Sequence, residues 1–346
     1  MVDAIALGCG LVGKFVVEEL ANRGYSIHVV DLKIPLTIKQ NQNVTWSEGD
    51  IFKLIETLPN SSLIINMLPG RIGQSMRSIF ISSGKNIVDL AFTEQDPSMY
   101  DDLAKESEST VVWDVGVAPG LSNMILKKEF SKNKNIDQIT IKVGGNPSKP
   151  DGNWSYMAPF SPSDVIEEYT RPARIIENND ITVVPALSDL HTINVDRYGV
   201  MEAFLTDGLR SLLISNFAPN MREYTIRWPG HVEKWLNSKD LISEEELIHE
   251  WKFDISKGEF TWMEIKLIYP DSEIVWIISD AGKDGHSSMA RTTGLVTIAC
   301  VIELLEHENG KLESGVFSPE QLSINSIERV IQLLKQEGVG INRYIR

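Results

Sequence analysis

The sequence predicts an α/β fold with a doubly wound N-terminal domain, a central α+β domain and a C-terminal helical return. Three observations predict it. Apolar strands alternate with helical patterns through about the first 120 residues, a glycine-rich turn follows the first strand, and an alternating period-2 pattern replaces this rhythm afterwards. We assign residues 1–120 and 288–346 to the first domain and residues 121–287 to the second.

The glycine-rich turn separates the first strand from the first helix. Residues Gly8–Gly13 read GCGLVG after the apolar run Val2–Leu7, and the next strand, Ser26–Val30, ends on Asp31. The first glycine permits a tight turn, the second lets a pyrophosphate approach the backbone, and the third lets the helix pack closely on the sheet. This pattern indicates a Rossmann domain that binds a dinucleotide, although a glycine turn of another α/β protein would read similarly. Asp31 favours NAD over NADP, because a carboxylate repels a 2′-phosphate, while Lys33 keeps NADP open.

Further strands extend the predicted NAD(P)-binding Rossmann domain. They are predicted at Val44–Trp46, Leu63–Met67, Asn86–Asp89 and Val111–Val115. The carboxyl ends of parallel strands face the ligand crevice, so the residues that follow them are candidates for cofactor binding. Asp50 either touches the adenine or caps the next helix. The predicted cofactor-binding residues are Gly8, Cys9, Gly10, Leu11, Val12, Gly13, Asp31, Leu32, Asp50, Ile51, Met67, Leu68, Pro69, Asp89, Gly116, Ala118 and Pro119.

The last strand of this domain leads into Asp114 and the turn Gly116–Gly120. By its position at a strand end, Asp114 should face the nicotinamide. An ordinary turn between domains is the alternative interpretation.

The second domain shows the alternation of an antiparallel sheet with one covered face. Its predicted strands are Gln138–Val143, Ile181–Pro185, Glu223–Trp228, Thr261–Tyr269 and Glu273–Ser279. After it, the apolar helix Met289–Glu306 and the final helix Ile327–Gln336 should return to the first domain.

Composition excludes several classes of partner. The 346 residues carry a formal net charge of −15, which argues against binding to nucleic acid or to an anionic membrane. Two cysteines, Cys9 and Cys300, suit a reducing cytoplasm better than a disulfide framework. The N-terminus enters a core strand directly, so we expect no signal peptide. No apolar run suggests a membrane span, and no ligand spacing suggests a metal site.

Several motifs occur in order along the chain. They are IINMLPG at 64–70, GKNIVDLAF at 84–92, DVGVAPGLSN at 114–123, VGGNP at 143–147, FSPSDVIEEYTRPA at 160–173, VPALSDL at 184–190, EAFLTDGLRSL at 202–212, IRWPGHVE at 226–233 and RTTG at 291–294. With the glycine turn, this set resembles the saccharopine dehydrogenase-like family, most closely its lysine 6-dehydrogenase branch.

The resemblance implies a catalytic and dimerisation role for the central domain and a homodimer. It also implies NAD-dependent oxidative deamination of the L-lysine ε-amine to 2-aminoadipate 6-semialdehyde, which cyclises to Δ1-piperideine-6-carboxylate, with release of ammonia. Sister branches act on saccharopine or carboxynorspermidine. A nucleotide-sensing protein without turnover is the alternative from another functional class.

This chemistry requires a base and a carboxylate-binding group. Hydride leaves only from a carbon whose amine is neutral, and the free amine has a pKa of about 10.4. We predict Asp114 and His231 as the groups that handle the proton. Arg227 would bind the substrate carboxylate, and Tyr169 and Arg171 would line the pocket.

Each of these residues has a structural alternative. His231 could begin a helix and bond the backbone, and Arg227 could form an internal ion pair. Tyr169 and Arg171 could lie at a solvated helix end. Glu167 and Glu168, just before them in the sequence, are expected on a solvated face.

Overall fold

A computed structural model describes residues 1–306 and 312–346. The strands are β1 Val2–Leu7, β2 Ile27–Asp31, β3 Val44–Glu48, β4 Ser61–Asn66, β5 Asn86–Asp89, β6 Thr110–Val112, β7 Gln138–Pro147, β8 Ala173–Glu177, β9 Asp180–Val184, β10 His191–Val195, β11 Gly199–Leu205, β12 Met221–Arg227, β13 Glu259–Tyr269, β14 Ser272–Asp280, β15 Gly315–Phe317 and β16 Gly340–Ile345. The α-helices are α1 Leu11–Asn22, α2 Leu36–Lys39, α3 Ile51–Leu54, α4 Gly70–Ser82, α5 Asp101–Glu106, α6 Ser122–Lys132, α7 Pro162–Thr170, α8 His231–Ser238, α9 Glu244–Glu250, α10 Ser288–Glu306 and α11 Ile324–Gln336.

The first of two compact units comprises Met1–Lys127 and Thr292–Leu334. In the described residues its strands form one parallel sheet in the order β15-β6-β5-β4-β1-β2-β3. The order 3-2-1-4-5-6 is that of a Rossmann domain, with the reversal between β1 and β4. The central strands are nearly continuous in apolar, buried residues, as a sheet covered on both faces requires. The predicted fold class is therefore confirmed.

The second unit comprises Lys128–Arg291 and Lys335–Arg346. Its sheet has the order β10-β11-β12-β7-β13-β14-β16, with β8 paired to β12 and β9 paired to β8. The pairs are antiparallel except that between β7 and β12. The long β13–β14 hairpin runs from the pair Thr261–Asp280 to the pair Tyr269–Ser272. This is the mainly antiparallel sheet that the period-2 pattern predicts.

The end of the chain differs from the sequence prediction. We assigned residues 288–346 to the first domain, but β16 pairs with β14 in the sheet of the second unit. Arg343 of β16 also donates two hydrogen bonds, of 2.9 and 3.0 Å, to the buried carboxylate of Glu129. The unit boundaries fall within α6, near the start of α10 and within α11. No composition change marks a boundary inside a continuous helix, so the sequence could not show it.

Helix α10 is long and apolar enough to cross a membrane by length and composition, contrary to the sequence expectation that no such run exists. However, 72% of its most apolar window is buried within the chain, as in the core helix of a globular protein. At Gly294 a Cβ would lie 2.5 Å from the Phe15 ring of α1. The RTTG motif thus contains the residue that lets α10 approach α1 closely.

Candidate active site

The glycine turn lies between β1 and α1 and combines two kinds of glycine. At Gly8, where φ is +94°, a Cβ would lie 2.6 Å from the Met67 carbonyl oxygen, and at Gly13 it would lie 2.3 Å from the Gly8 carbonyl oxygen. At Gly10, by contrast, no atom lies within 4 Å of the Cβ position. The chain's own packing requires Gly8 and Gly13, whereas the space at Gly10 is open. An open cradle beside the first N–H groups of a helix fits a pyrophosphate.

Asp31, the last residue of β2, is held against this turn. Its Oδ2 accepts a hydrogen bond from the backbone N–H of Cys9, and its Oδ1 accepts one from the N–H of Lys33 at 3.2 Å. An ionised carboxylate offers about four lone-pair positions, so acceptor capacity remains for ribose hydroxyls. Burial, with Asp31 nearby, raises the pKa of the Cys9 thiol to about 12, so Cys9 is a packing residue there and not a nucleophile.

Most other predicted cofactor residues follow strands of the parallel sheet. Leu32 follows β2, Asp50 and Ile51 follow β3, Met67–Pro69 follow β4 and Gly116–Pro119 follow β6. Parallel strands end at the same edge of a sheet, which is where doubly wound folds bind ligands. Asp50 also caps α3, since its side chain accepts a 3.1 Å hydrogen bond from a backbone N–H of the first turn. Cofactor contacts of these residues stay predictions.

Asp89 is better explained by the fold than by a cofactor. Its carboxylate accepts hydrogen bonds from Arg77 Nε at 2.7 Å, from Asn66 Nδ2 at 3.0 Å and from the Ala91 N–H at 2.9 Å. Asp89 and Arg77 are both almost completely buried. A carboxylate without exposed surface has no contact to offer, so we remove Asp89 from the cofactor-binding residues. The sequence showed that Asp89 ends a strand, but it did not show that Asp89 pairs with the buried Arg77.

Asp114 lies in the loop that follows β6 and has an unusual backbone. Its φ of +51° is in the left-handed region, which aspartate tolerates better than most residues, and it is 5% exposed. The loop is fastened by Asn123, whose Oδ1 accepts from the Gly120 N–H at 3.3 Å and whose Nδ2 donates to Glu320 at 3.0 Å. Such backbone conformations occur often at functional sites. Its catalytic role stays a prediction.

Arg227 ends β12 in the second unit and is 3% exposed. Its Nε donates to the Tyr169 hydroxyl at 2.7 Å, its Nη1 to the Ile226 carbonyl at 2.9 Å and its Nη2 to the Tyr156 hydroxyl at 3.4 Å. The guanidinium carbon also lies 4.4 Å from the centroid of the Tyr156 ring. A guanidinium has five N–H groups. Within the described part of the chain two of them remain for an anion, and a carboxylate suits this geometry.

His231 completes a chain of hydrogen bonds behind Arg227. Its Nδ1 lies 2.9 Å from the Trp154 carbonyl oxygen, which can only accept, so Nδ1 carries the proton. Its Nε2 therefore accepts from the Tyr169 hydroxyl at 3.0 Å, while the Tyr169 oxygen accepts from Arg227. Burial, with Arg227 nearby, lowers the pKa of His231 to about 3. The ring is neutral near pH 7 and both nitrogens are engaged, so we correct its predicted role from base to positioning residue.

Glu168, expected on a solvated face, lies beside Arg227. Its Oε2 is 3.8 Å from Arg227 Nη2, and its side chain is 20% exposed. Burial raises the pKa of Glu168 to about 7, against the lowering effect of Arg227. The sequence carried a signal for this position: Val165 and Tyr169 form the buried row of α7 at i and i+4, and Glu168 borders that row.

Arg171 follows the last residue of α7. Its Nη2 donates to Glu167 Oε2 at 2.9 Å, an i,i+4 pair, and its charge also lowers the pKa of Glu168. Its predicted contact with substrate stays a prediction. Within residues 1–306 and 312–346, no group of three or more His, Cys, Asp or Glu side chains is arranged to hold a metal ion.

Comparison with known proteins identifies the family. Residues 116–339 match the family model described as the saccharopine dehydrogenase C-terminal domain. The alpha-aminoadipic semialdehyde synthase of Arabidopsis thaliana is 23% identical over 163 residues, which cover 45% of this chain and 15% of that longer protein.

Two solved structures were compared with this chain, and the first shows the same fold. Apo saccharopine dehydrogenase (L-Glu forming) from Saccharomyces cerevisiae is similar with a TM-score of 0.76 and 14% identity, over 100% of both chains. GenD2 from gentamicin A biosynthesis, in complex with NAD, gives a TM-score of 0.45 and 10% identity over 100% of this chain and 96% of GenD2. The family match covers more than half of the chain, and the first of these structures shares its fold throughout. The chain therefore belongs to the saccharopine dehydrogenase family.

Proposed function

We propose that this protein is a nicotinamide-dependent oxidoreductase that oxidatively deaminates the ε-amine of L-lysine. The products would be 2-aminoadipate 6-semialdehyde, which cyclises to Δ1-piperideine-6-carboxylate, and ammonia. The observation that carries the proposal is the buried Arg227, which keeps two N–H groups for a carboxylate. The family and the curated relative named for alpha-aminoadipic semialdehyde support an amino-acid substrate.

We propose NAD as the preferred cofactor. The open space at Gly10 fits a pyrophosphate, and Asp31 is held at the turn by the Cys9 N–H. Its negative charge disfavours a 2′-phosphate, although Lys33 keeps NADP as a second possibility. When bound, the nicotinamide supplies a hydride acceptor for the carbon that carries the amine.

The chain's own residues would orient the substrate and move protons. Arg227 would bind the α-carboxylate, and the Tyr169–His231 chain would hold its guanidinium in one orientation. We propose Asp114 as the base that removes the proton from the ε-ammonium group. It would release this proton to solvent. After oxidation it would take a proton from the water that attacks the iminium carbon and pass it to the leaving amine. One water is consumed, and one ammonium ion and one proton are released, per aldehyde formed.

A substrate panel tests the proposal. Purified protein is incubated with NAD or NADP and with L-lysine, saccharopine or carboxynorspermidine, and absorbance of the reduced nicotinamide is followed. We expect reduction of NAD with L-lysine, and formation of ammonia in equal amount. Reduction with saccharopine alone would contradict the lysine proposal, and no reduction with any of these amines would contradict the dehydrogenase proposal.

Replacement of Asp114 tests the proposed base. Asparagine tolerates the left-handed backbone at this position, so Asp114→Asn should fold normally. We expect kcat to fall by about 10²- to 10⁴-fold, the usual contribution of a general base, with unchanged affinity for NAD. Unchanged turnover in stopped-flow measurements would remove Asp114 from the mechanism.

Homodimer formation and a cytoplasmic location stay predictions from the sequence.

A further inference from the structure

The carboxyl group of Glu168 pairs with Arg227 only at long range. Its Oε2 lies 3.8 Å from Arg227 Nη2, which is too long for a hydrogen bond. In the described part of the chain, no hydrogen bond to this carboxyl group is formed. Only 20% of its side chain is exposed. A mostly buried carboxyl group that accepts no hydrogen bond calls for an explanation, and a ligand that donates one is the simplest.

Arg227, in turn, has N–H groups that form no hydrogen bond within the described residues. It carries a permanent charge, is 3% exposed and keeps two N–H groups after its bonds to Tyr169, Ile226 and Tyr156. The guanidinium of Arg227, with N–H groups still to donate, and the carboxyl group of Glu168, with oxygens still to accept, thus lie 3.8 Å apart in the second unit. A ligand that carries one negative and one positive group on neighbouring atoms would complete both.

We propose that Glu168 binds the α-ammonium group of the substrate whose α-carboxylate Arg227 binds, so that the two residues together recognise the zwitterionic end of an α-amino acid. This inference rests on the proposed amino-acid substrate and adds the specificity-determining residue. Ligands with a carboxylate but no α-ammonium would leave Glu168 without a partner. They therefore bind more weakly.

Recognition by Glu168 is coupled to pH, because only the ionised carboxylate attracts an ammonium group. Burial and, to a smaller extent, the charge of Asp164 raise the pKa of Glu168, whereas Arg227 and Arg171 lower it, and the net result is a pKa of about 7. Glu223 also faces this group from β12, and Tyr156 and Tyr169 border it as neutral hydroxyls. Below pH 7 the free site takes up a proton that lysine must displace. Affinity for lysine therefore falls as pH falls, approaching tenfold per pH unit.

The test compares two ligands on the full chain with NADH present, so that no turnover occurs. L-lysine carries the α-ammonium group, and 6-aminohexanoate lacks it but keeps the carboxylate and the distal amine. By calorimetry at pH 7.5, wild type should bind lysine about 10- to 100-fold more tightly, as one charge-assisted hydrogen bond is worth. In Glu168→Gln this preference should shrink to about twofold or less. The fall in affinity for lysine below pH 7 should also disappear.

Two further variants complete the design. Glu245→Gln removes a charge from an exposed position of α9 and should behave as wild type. Glu168→Asp keeps the charge on a shorter side chain and should retain part of the preference, which keeps the test valid if Glu168→Gln folds poorly.

Four outcomes would overturn the inference. Equal affinity of wild type for the two ligands, or a preference kept in Glu168→Gln, would show that Glu168 does not bind the α-ammonium group, while carboxylate binding by Arg227 would stand. A loss of kcat in Glu168→Gln at unchanged affinity would assign Glu168 to the reacting amine instead. Failure of wild type to bind either ligand would overturn the proposed function itself.

Discussion

Gly10→Ala should lose tight binding of NAD and keep its stability, whereas Gly13→Ala should unfold more easily. At Gly10 nothing of the chain lies within 4 Å of the new methyl group, but that space is where the pyrophosphate approaches the backbone. Displacing the pyrophosphate costs charge-assisted hydrogen bonds, and we expect Kd to rise by roughly 100-fold. Fluorescence titration with NADH measures this change, and thermal unfolding monitors stability.

The two glycines serve as controls for each other. At Gly13 the new Cβ would lie 2.3 Å from the Gly8 carbonyl oxygen, so backbone must move. Overpacking of this kind costs about 1–3 kcal/mol, which lowers the melting temperature by several degrees. If Gly10→Ala bound NADH as wild type does, the cofactor would lie elsewhere. If Gly10→Ala were as unstable as Gly13→Ala, the chain itself would occupy the space beside Gly10.

Arg227→Lys should raise KM for lysine by about 100-fold with a smaller effect on kcat. Lysine keeps the positive charge but offers no planar pair of donors, so it cannot hold the carboxylate bidentately. It also cannot reproduce the three bonds to Tyr169, Ile226 and Tyr156, so the Tyr169–His231 chain loses its anchor. Steady-state kinetics across a range of lysine concentrations separates KM from kcat.

Two further variants serve as a control and a comparison for this result. Arg197→Lys changes an arginine that is almost fully exposed in the same unit, and it should leave KM unchanged. Tyr169→Phe removes only the hydroxyl that links Arg227 to His231, and we expect a smaller rise in KM, about 5- to 10-fold. A KM for Arg227→Lys equal to that of wild type would show that the guanidinium does not bind the substrate carboxylate.

Much of the fold could be predicted because it is encoded locally. Val2–Asp31 contains a strand, a glycine turn, a helix and a second strand within about 30 residues, and each has a sequence pattern of its own. Period-2 alternation likewise located β7, β13 and β14 in the second unit. By contrast, β16 could not be assigned to that unit, because its membership depends on pairing with β14 and on the bond between Arg343 and Glu129.

The candidate site divides in the same way. The sequence alone determined which residue types were available: a dinucleotide turn ending on Asp31, and Arg227 and His231 in one motif. The tertiary structure decided what those side chains do. His231 is neutral because burial and Arg227 disfavour its charged form, and Glu168 is a binding candidate because α7 turns it towards Arg227. Hydrogen-bond partners, burial and pKa values are properties of neighbours distant in the sequence, and only folding brings those neighbours together.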